Sequence, residues 1–299
     1  MPLLHSHSED SGILHAFLDE VLLHALRDLL ILVPFLFLTY LLMEFIEHRA
    51  KGRVEGFMKK AGGCGSVAGA LVGAVPQCGF SAAASSLFCG RVISMGTLVA
   101  VFLSTSDEMI PILLSGSVPP LRVLFIVLYK ILVAALVGFL LDFLLRLMKK
   151  DEREINIDAL CEVDGCGCER GVFYSACHHT LKISVFVFAV TLVLNALIFF
   201  IGEDRISAVV GALPLLSHFA AALVGFIPNC AASVMLATLY ADGIISAGAM
   251  TAGLFSGAGV GMLVLLKQNK NIKENLVIFG VLFVSGVLFG ALLDLILFI

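Results

Sequence analysis

Two carboxylates stand where apolar sequence makes them costly. Ser104-Thr105-Ser106-Asp107-Glu108 interrupts a hydrophobic stretch, and an ionised group at the centre of a membrane span costs about 2.5–3.5 kcal/mol on the insertion scale. Such acids bind a cation, carry a proton, or neutralise a buried partner. Lys130, in the middle of the next apolar stretch, is a partner of the right sign. If Lys130 neutralises one acid as a buried pair, the other carboxylate still has a charge to use. A second group is Pro76-Gln77-Cys78-Gly79-Phe80-Ser81, which recurs as Pro228-Asn229-Cys230-Ala231-Ala232-Ser233. Proline cannot donate to a helix ladder, and the backbone groups it frees are tolerated at membrane depth only inside protein or beside a wet cavity. The half-helix N-termini that follow offer N–H groups and a positive dipole end to a polar or anionic substrate. Gln77, Asn229, Ser81 and Ser233 add neutral hydrogen-bonding groups, while Cys78 and Cys230 add soft sulfur. The plain alternative is a pair of kinks packed through small residues.

A third group, Cys161, Cys166 and Cys168 with Cys177, His178 and His179, offers thiolates and imidazoles to zinc, copper(I) or an arsenite-like thiophile. Its spacing is not that of a zinc finger or ribbon, and a solvated linker with incidental thiols is the competing reading. Other polar residues have simpler explanations. His5, His7, Glu9 and Asp10 belong to a polar tail. Glu44, Glu47 and His48 snorkel at a span end. Asn195 and His218 fit interhelical hydrogen bonds, and Asp142 with Arg146 forms an i,i+4 pair.

The elements that position these residues follow from composition and from an internal repeat. The chain has 299 residues, 60% of them hydrophobic and only 14% charged. Several apolar runs exceed the roughly 18 residues that read as a span. That excludes a soluble domain and predicts an all-α polytopic membrane protein. The net charge of −4 and the absence of a large basic cluster point away from nucleic acid. The start of the chain lacks a positive region followed by an apolar core, so no cleavable signal is expected. The eight cysteines read as free thiols rather than a disulfide framework. Residues match at a constant offset of 152: Cys78 with Cys230, Ser94-x-Gly96 with Ser246-x-Gly248, Ser104 with Ser256, and Gly138-x-Leu-Leu-Asp142 with Gly290-x-Leu-Leu-Asp294. The acids and Lys130 have no counterpart, being matched by Gly259, Val260 and Leu282.

Four regions result: residues 1–27, a polar tail and amphipathic surface helix; 28–148, the first membrane repeat; 149–181, a cytoplasmic Cys/His loop; and 182–299, the second repeat. A first span, about Leu29–Ile46, runs to the basic stretch His48–Lys60, which the positive-inside rule puts in the cytoplasm. If Gly65–Cys89 enters and returns as a hairpin at its Pro break, Ile93–Leu114 crosses outward and Leu121–Leu147 crosses back. Ile183–Ile201, a second hairpin Ala212–Tyr240, Ile244–Leu266 and Leu276–Phe298 then repeat the pattern inverted. Every basic link, including Lys267–Lys273, falls inside. The prediction is two inverted repeats, each of three full spans and one re-entrant hairpin, ten hydrophobic segments in all. The N-terminus lies outside, and the location is a plasma membrane, the inner membrane of a bacterium.

These residues also carry a likeness. Thr39-Tyr40-Leu-Leu-Met-Glu44 with Glu47-His48-Arg49, the two Pro-polar-Cys motifs, Ser104–Glu108 and His179-Thr-Leu-Lys182 together resemble the ten-span heavy-metal exporter family. Its members are labelled arsenic efflux proteins or manganese transporters, and it is related to the arsenical permeases. The resemblance covers about Phe17 to Phe298 and implies export of a metal or metalloid from the cytoplasm. It assigns no ligands, so the site rests on the residues themselves. Substrate is expected near Gln77, Cys78, Ser81, Ser104, Thr105, Asn229, Cys230, Ser233 and Ser256, with Asp107 or Glu108 as metal ligand or proton carrier and Lys130 as charge partner. Manganese prefers the oxygens and arsenite the two cysteines, and the chain has both.

The expected partners are the lipid bilayer and a small inorganic ion, with no nucleic acid; a homo-oligomer stays open. No resident cofactor and no enzymatic activity are expected, and no Gly-x4-Gly-Lys-Ser/Thr motif is present for direct ATP drive. Three other functions compete. A membrane enzyme acting on lipid phosphates would need Arg or His beside the breaks, and Arg91 and His218 do not adjoin them. A permease for a small sulfur-containing or organic anion would use the same half-helix N-termini. A thiol redox protein would need Cys78 and Cys230 within bonding distance.

Overall fold

A computed structural model describes residues 24–45, 64–75, 78–105, 109–115, 118–147, 172–201 and 217–298. These residues form twelve helices and no strand, the arrangement that satisfies backbone groups within each segment when water is absent. The first half contains α1 (His24–Phe45), α2 (Cys64–Gly73), α3 (Cys78–Cys89), α4 (Met95–Ser104), α5 (Met109–Ser115) and α6 (Pro120–Leu147). The second contains α7 (Val172–Ile201), α8 (Ser217–Gly225), α9 (Cys230–Ala241), α10 (Ala247–Ser256), α11 (Val260–Gln268) and α12 (Ile272–Phe298).

Among the described residues, five stretches are long and apolar enough to cross a bilayer: Met95–Ser115, Pro120–Leu147, Ala176–Leu194, Ala247–Gln268 and Ile272–Leu297. Along α6, Leu121, Leu124, Leu128, Leu132, Leu136 and Leu140 are all exposed. They recur at helical spacing, an apolar stripe that suits lipid rather than water.

The structure corrects two expectations. Ile93–Leu114 and Ile244–Leu266 keep the length of a span but are not continuous helices. Each is a pair of short helices, α4–α5 and α10–α11, interrupted at Thr105 and at Gly257–Gly259. Gly259 has φ 50 and ψ −135, a conformation open essentially to glycine alone. The helices α2, α3, α4 and α5 have 10, 12, 10 and 7 residues. At 1.5 Å per residue each covers about half of a hydrocarbon core of about 30 Å or less. In addition, α7 begins at Val172 rather than at Ile183. The segment of Cys177, His178 and His179 is therefore helical, and the expected loop is shorter.

The two halves repeat their packing. α4 packs on α6 as α10 does on α12, and α2 packs on both α4 and α6 as α8 does on α10 and α12. The half-helices after the Pro breaks cross over: α3 packs against α11 of the other half, and α9 against α5. One core cluster spans both halves, with Leu98, Phe102 and Val133 from the first and Phe255, Met262 and Leu282 from the second.

A carboxylate clamp occurs twice. Asp142 of α6 is 2% exposed and accepts hydrogen bonds from Ser66 Oγ (3.0 Å), Ser94 Oγ (2.7 Å) and the Gly96 amide (2.8 Å). Asp294 of α12 takes the matching partners Ser246 Oγ and the Gly248 amide (2.6 Å), while His218 Nε2 (2.8 Å) replaces Ser66. Each carboxylate thereby holds the positive N-terminal end of a short helix, α4 or α10. Gly96 is needed here. A Cβ on it would stand 2.2 Å from the Gly138 carbonyl and 2.4 Å from Asp142 Cγ, and the same conflict recurs at Gly248 with Gly290 and Asp294. Asp142, read from the sequence as an i,i+4 partner of Arg146, docks α4 on α6.

Candidate ion site at the helix breaks

The end of α4 is built around one carbonyl. Val101 O accepts the Thr105 amide (3.0 Å), Ser104 Oγ (3.0 Å) and Thr105 Oγ1 (2.7 Å). The hydroxyl protons of Ser104 and Thr105 are thus turned onto their own helix. Thr105, at φ −52 and ψ 128, leaves the helix and directs its own carbonyl outward from the ladder. Lys130, fully buried on α6, donates to that carbonyl at 2.5 Å. Its ammonium also lies 5.7 Å from the ring centre of Phe255, the penultimate residue of α10. A cation therefore sits at the C-terminal ends of two broken helices, one from each half, where the helix dipole is negative.

Ser256, also fully buried, donates to Ala252 O at 3.1 Å. A Cβ on Gly286 of α12 would stand 2.8 Å from that hydroxyl. The other flank of each break is equally close-packed. Gly73, which ends α2, would place a Cβ 2.2 Å from Ser104 Oγ, and Gly257 would place one 2.9 Å from the Gly225 carbonyl that ends α8. Both interruptions of one half therefore lie side by side.

The Pro-polar-Cys copies are described unequally. In the second, Asn229 caps α9, its side chain accepting the Ala231 amide at 3.5 Å. Asn229 and Cys230 are buried, and Ser233 is half-buried. In the first, Ser81 is fully buried at the crossing of α3 with α11. There Ser85 Oγ donates to both Ser81 O (2.9 Å) and Gly261 O (2.7 Å), and a Cβ on Gly261 would come within 2.7 Å of the Ser81 backbone. Pro76, Gln77, Asp107, Glu108 and the side chain of Cys78 lie outside the described residues.

The site residues thus brought together are Ser104, Thr105, Lys130 and, through Phe255, the end of α10 at Ser256. Of the Cys/His group, only Cys177, His178 and His179 are described, and these three do not converge. Cys161, Cys166 and Cys168 fall outside the described residues. On α7, Cys177 is exposed, His178 stacks with Tyr174 (centroids 6.4 Å apart), and buried His179 stacks on Tyr40 (5.3 Å). Successive helix residues point about 100° apart, which is why adjacency in sequence did not make a cluster. Among the described residues no three His, Cys, Asp or Glu side chains stand together as metal ligands.

Sequence reasoning also missed a polar network joining the halves. Gln268 Nε2 donates to Tyr40 Oη (2.5 Å), which is 3.2 Å from Ser86 Oγ. Tyr129 Oη donates to Phe289 O at 2.7 Å. No spacing rule links such distant positions. The twin clamps were different: an acid repeated at 152 residues together with a repeated Ser-x-Gly was a readable signal.

Neither a curated protein nor a solved structure gives a match. A family model, however, matches residues 18–166 and 168–297, nearly the whole chain. The helical architecture, the apolar spans and this match agree with the likeness drawn from the motifs: the chain belongs to the family described as "Putative, 10TM heavy-metal exporter".

Proposed function

We propose that this protein is a secondary transporter that exports a metal cation from the cytoplasm, binding it where α4 and α10 break. One observation carries the reading: fully buried Lys130 places its ammonium on the Thr105 carbonyl and near Phe255, at two helix C-termini from opposite halves. Half-helix C-terminal ends and unwound carbonyls are what transporters use to coordinate cations. Lys130 then stands in for the substrate charge when the site is empty. Asp107 and Glu108, which follow Thr105 in sequence, supply the negative charge that attracts the ion and carry the coupling proton. Carbonyl, hydroxyl and carboxylate oxygens suit a hard divalent ion such as manganese better than a thiophile. Cys78 and Cys230, with Gln77, Ser81, Asn229 and Ser233 of the two Pro-polar-Cys motifs, are the further residues this reading assigns to the substrate's path.

Matched packing in the two halves and the crossed pairs α3–α11 and α9–α5 support two inverted repeats with re-entrant hairpins. Alternating access follows from rocking one repeat against the other about the site. The test is metal content and metal sensitivity of cells expressing the wild type, Asp107→Asn, or Cys78→Ser with Cys230→Ser. Asp107→Asn should abolish manganese export, and the double thiol variant should retain most of it. Export of arsenite that depends on the two thiols and ignores Asp107 would replace this reading.

A further inference from the structure

The internal repeat provides a built-in comparison for each turn. After α3, the chain closes with Gly90 N–H to Ser86 O (2.9 Å), Arg91 N–H to Phe88 O (2.9 Å) and Val92 N–H to Leu87 O (2.8 Å). After α9 the matching bonds are Asp242 to Thr238 (2.9 Å), Gly243 to Tyr240 (3.0 Å) and Ile244 to Leu239 (2.9 Å). Both are Schellman closures, which require one left-handed residue just past the helix. After α9 that residue is Gly243, at φ 74; after α3 it is Arg91, at φ 60, the one non-glycine residue with positive φ among those described. A side chain strains the backbone there. The fold accepts glycine at the equivalent place, so the arginine needs its own explanation.

Its guanidinium supplies one. Arg91 donates through Nη1 to Glu274 Oε2 (3.1 Å) and through Nη2 to Oε1 (3.5 Å), a fork-on-fork pair. Its carbon also lies 5.5 Å from the ring centre of Phe88. Glu274 opens α12 of the other half and accepts Asn269 Nδ2 at 3.3 Å. Asn269 is bound in turn to Asn275, Nδ2 to Oδ1 at 2.8 Å, and Asn275 Nδ2 returns to Asn269 O at 3.1 Å. The pair is partly sheltered, with side-chain exposures of 24% and 13%. Position for position in the other half, Arg91 becomes Gly243 and Glu274 becomes Arg122. The same pair therefore cannot form there.

We infer that Arg91–Glu274 is a one-sided latch, tying the end of α3 to the start of α12 and breaking when the two halves part on the side of the Lys267–Lys273 link. This rests on the transporter reading, because only a transport cycle gives that end a reason to open. Cys89, in the last turn of α3 and partly buried between two core clusters, reports the opening in the full-length protein. Its alkylation can be scored by peptide mass with every other cysteine in place. Arg91→Gly relieves the strained cap, so a purely local role predicts unchanged or slower alkylation. The latch predicts the opposite sign, about fivefold to tenfold faster, with the same increase in Glu274→Gln and none added in the double variant. The charge-reversed pair Arg91→Glu with Glu274→Arg should regain slow alkylation. Wild-type rates in Arg91→Gly would overturn the latch. Failure of the transporter reading would appear separately, as absent metal flux in the wild type.

Discussion

Replacing Asp142 by Asn tests whether the clamps, rather than the apolar contacts alone, dock the short helices. Asparagine keeps the shape and can still accept the Gly96 amide, but it removes the charge and aims an amide nitrogen at Ser66 or Ser94. A hydrogen bond to a charged group contributes about 1.5–3 kcal/mol against about 0.5–1.5 for a neutral one. Loss of the carboxylate at the α4 N-terminus removes a further 0.3–1 kcal/mol or so. With three bonds affected at a 2% exposed group, and a neutral amide cheaper to bury, the loss should be about 2–4 kcal/mol. Asp294 makes the equivalent bonds but its side chain is 27% exposed, so solvent screening should reduce the loss there to about 1–2 kcal/mol. The chain has no tryptophan, so thermal unfolding in detergent is best followed by circular dichroism. At about 2–4 °C per kcal/mol, Asp142→Asn should lower the midpoint by about 5–15 °C and Asp294→Asn by clearly less. An equal or larger shift for Asp294→Asn would show that buried charge-assisted bonds are not what holds α4 in place.

Lys130→Leu should fold, because Leu282 fills the equivalent position in the second half, yet lose at least about tenfold in metal flux in proteoliposomes. Full flux in that variant would leave Lys130 a structural neutraliser. Gly261→Val should force α11 away from Ser81, where a Cβ already meets backbone at 2.7 Å, and cost about 1–3 kcal/mol by overpacking, read as a lowered unfolding midpoint. Tyr40→Phe should leave the Gln268 amide without its 2.5 Å acceptor and destabilise by about 1–3 kcal/mol, whereas Leu124→Ala on the exposed face of α6 should shift the midpoint little.

The sequence alone decided the class, the repeat and the helix interruptions at the two Pro-polar-Cys motifs. Apolar runs of span length can only be helices in lipid, and residues that recur at 152 must occupy equivalent places in two similar halves. Pro228 is local chemistry, readable because a helix ladder fails where a backbone donor is missing. Even so, Ser104–Glu108 and Ser256–Val260 were read as parts of continuous spans, since hydropathy averages over a short polar break. Tertiary structure alone decided which broken ends meet: Lys130 with Thr105 and Phe255, Asp142 with Ser94 and Gly96, and Arg91 with Glu274. Each of these joins helices far apart in the chain, and helical periodicity says which face a residue occupies but not which neighbour that face will find. The same limit explains Cys177, His178 and His179, neighbours in sequence that the turn of one helix sends in different directions.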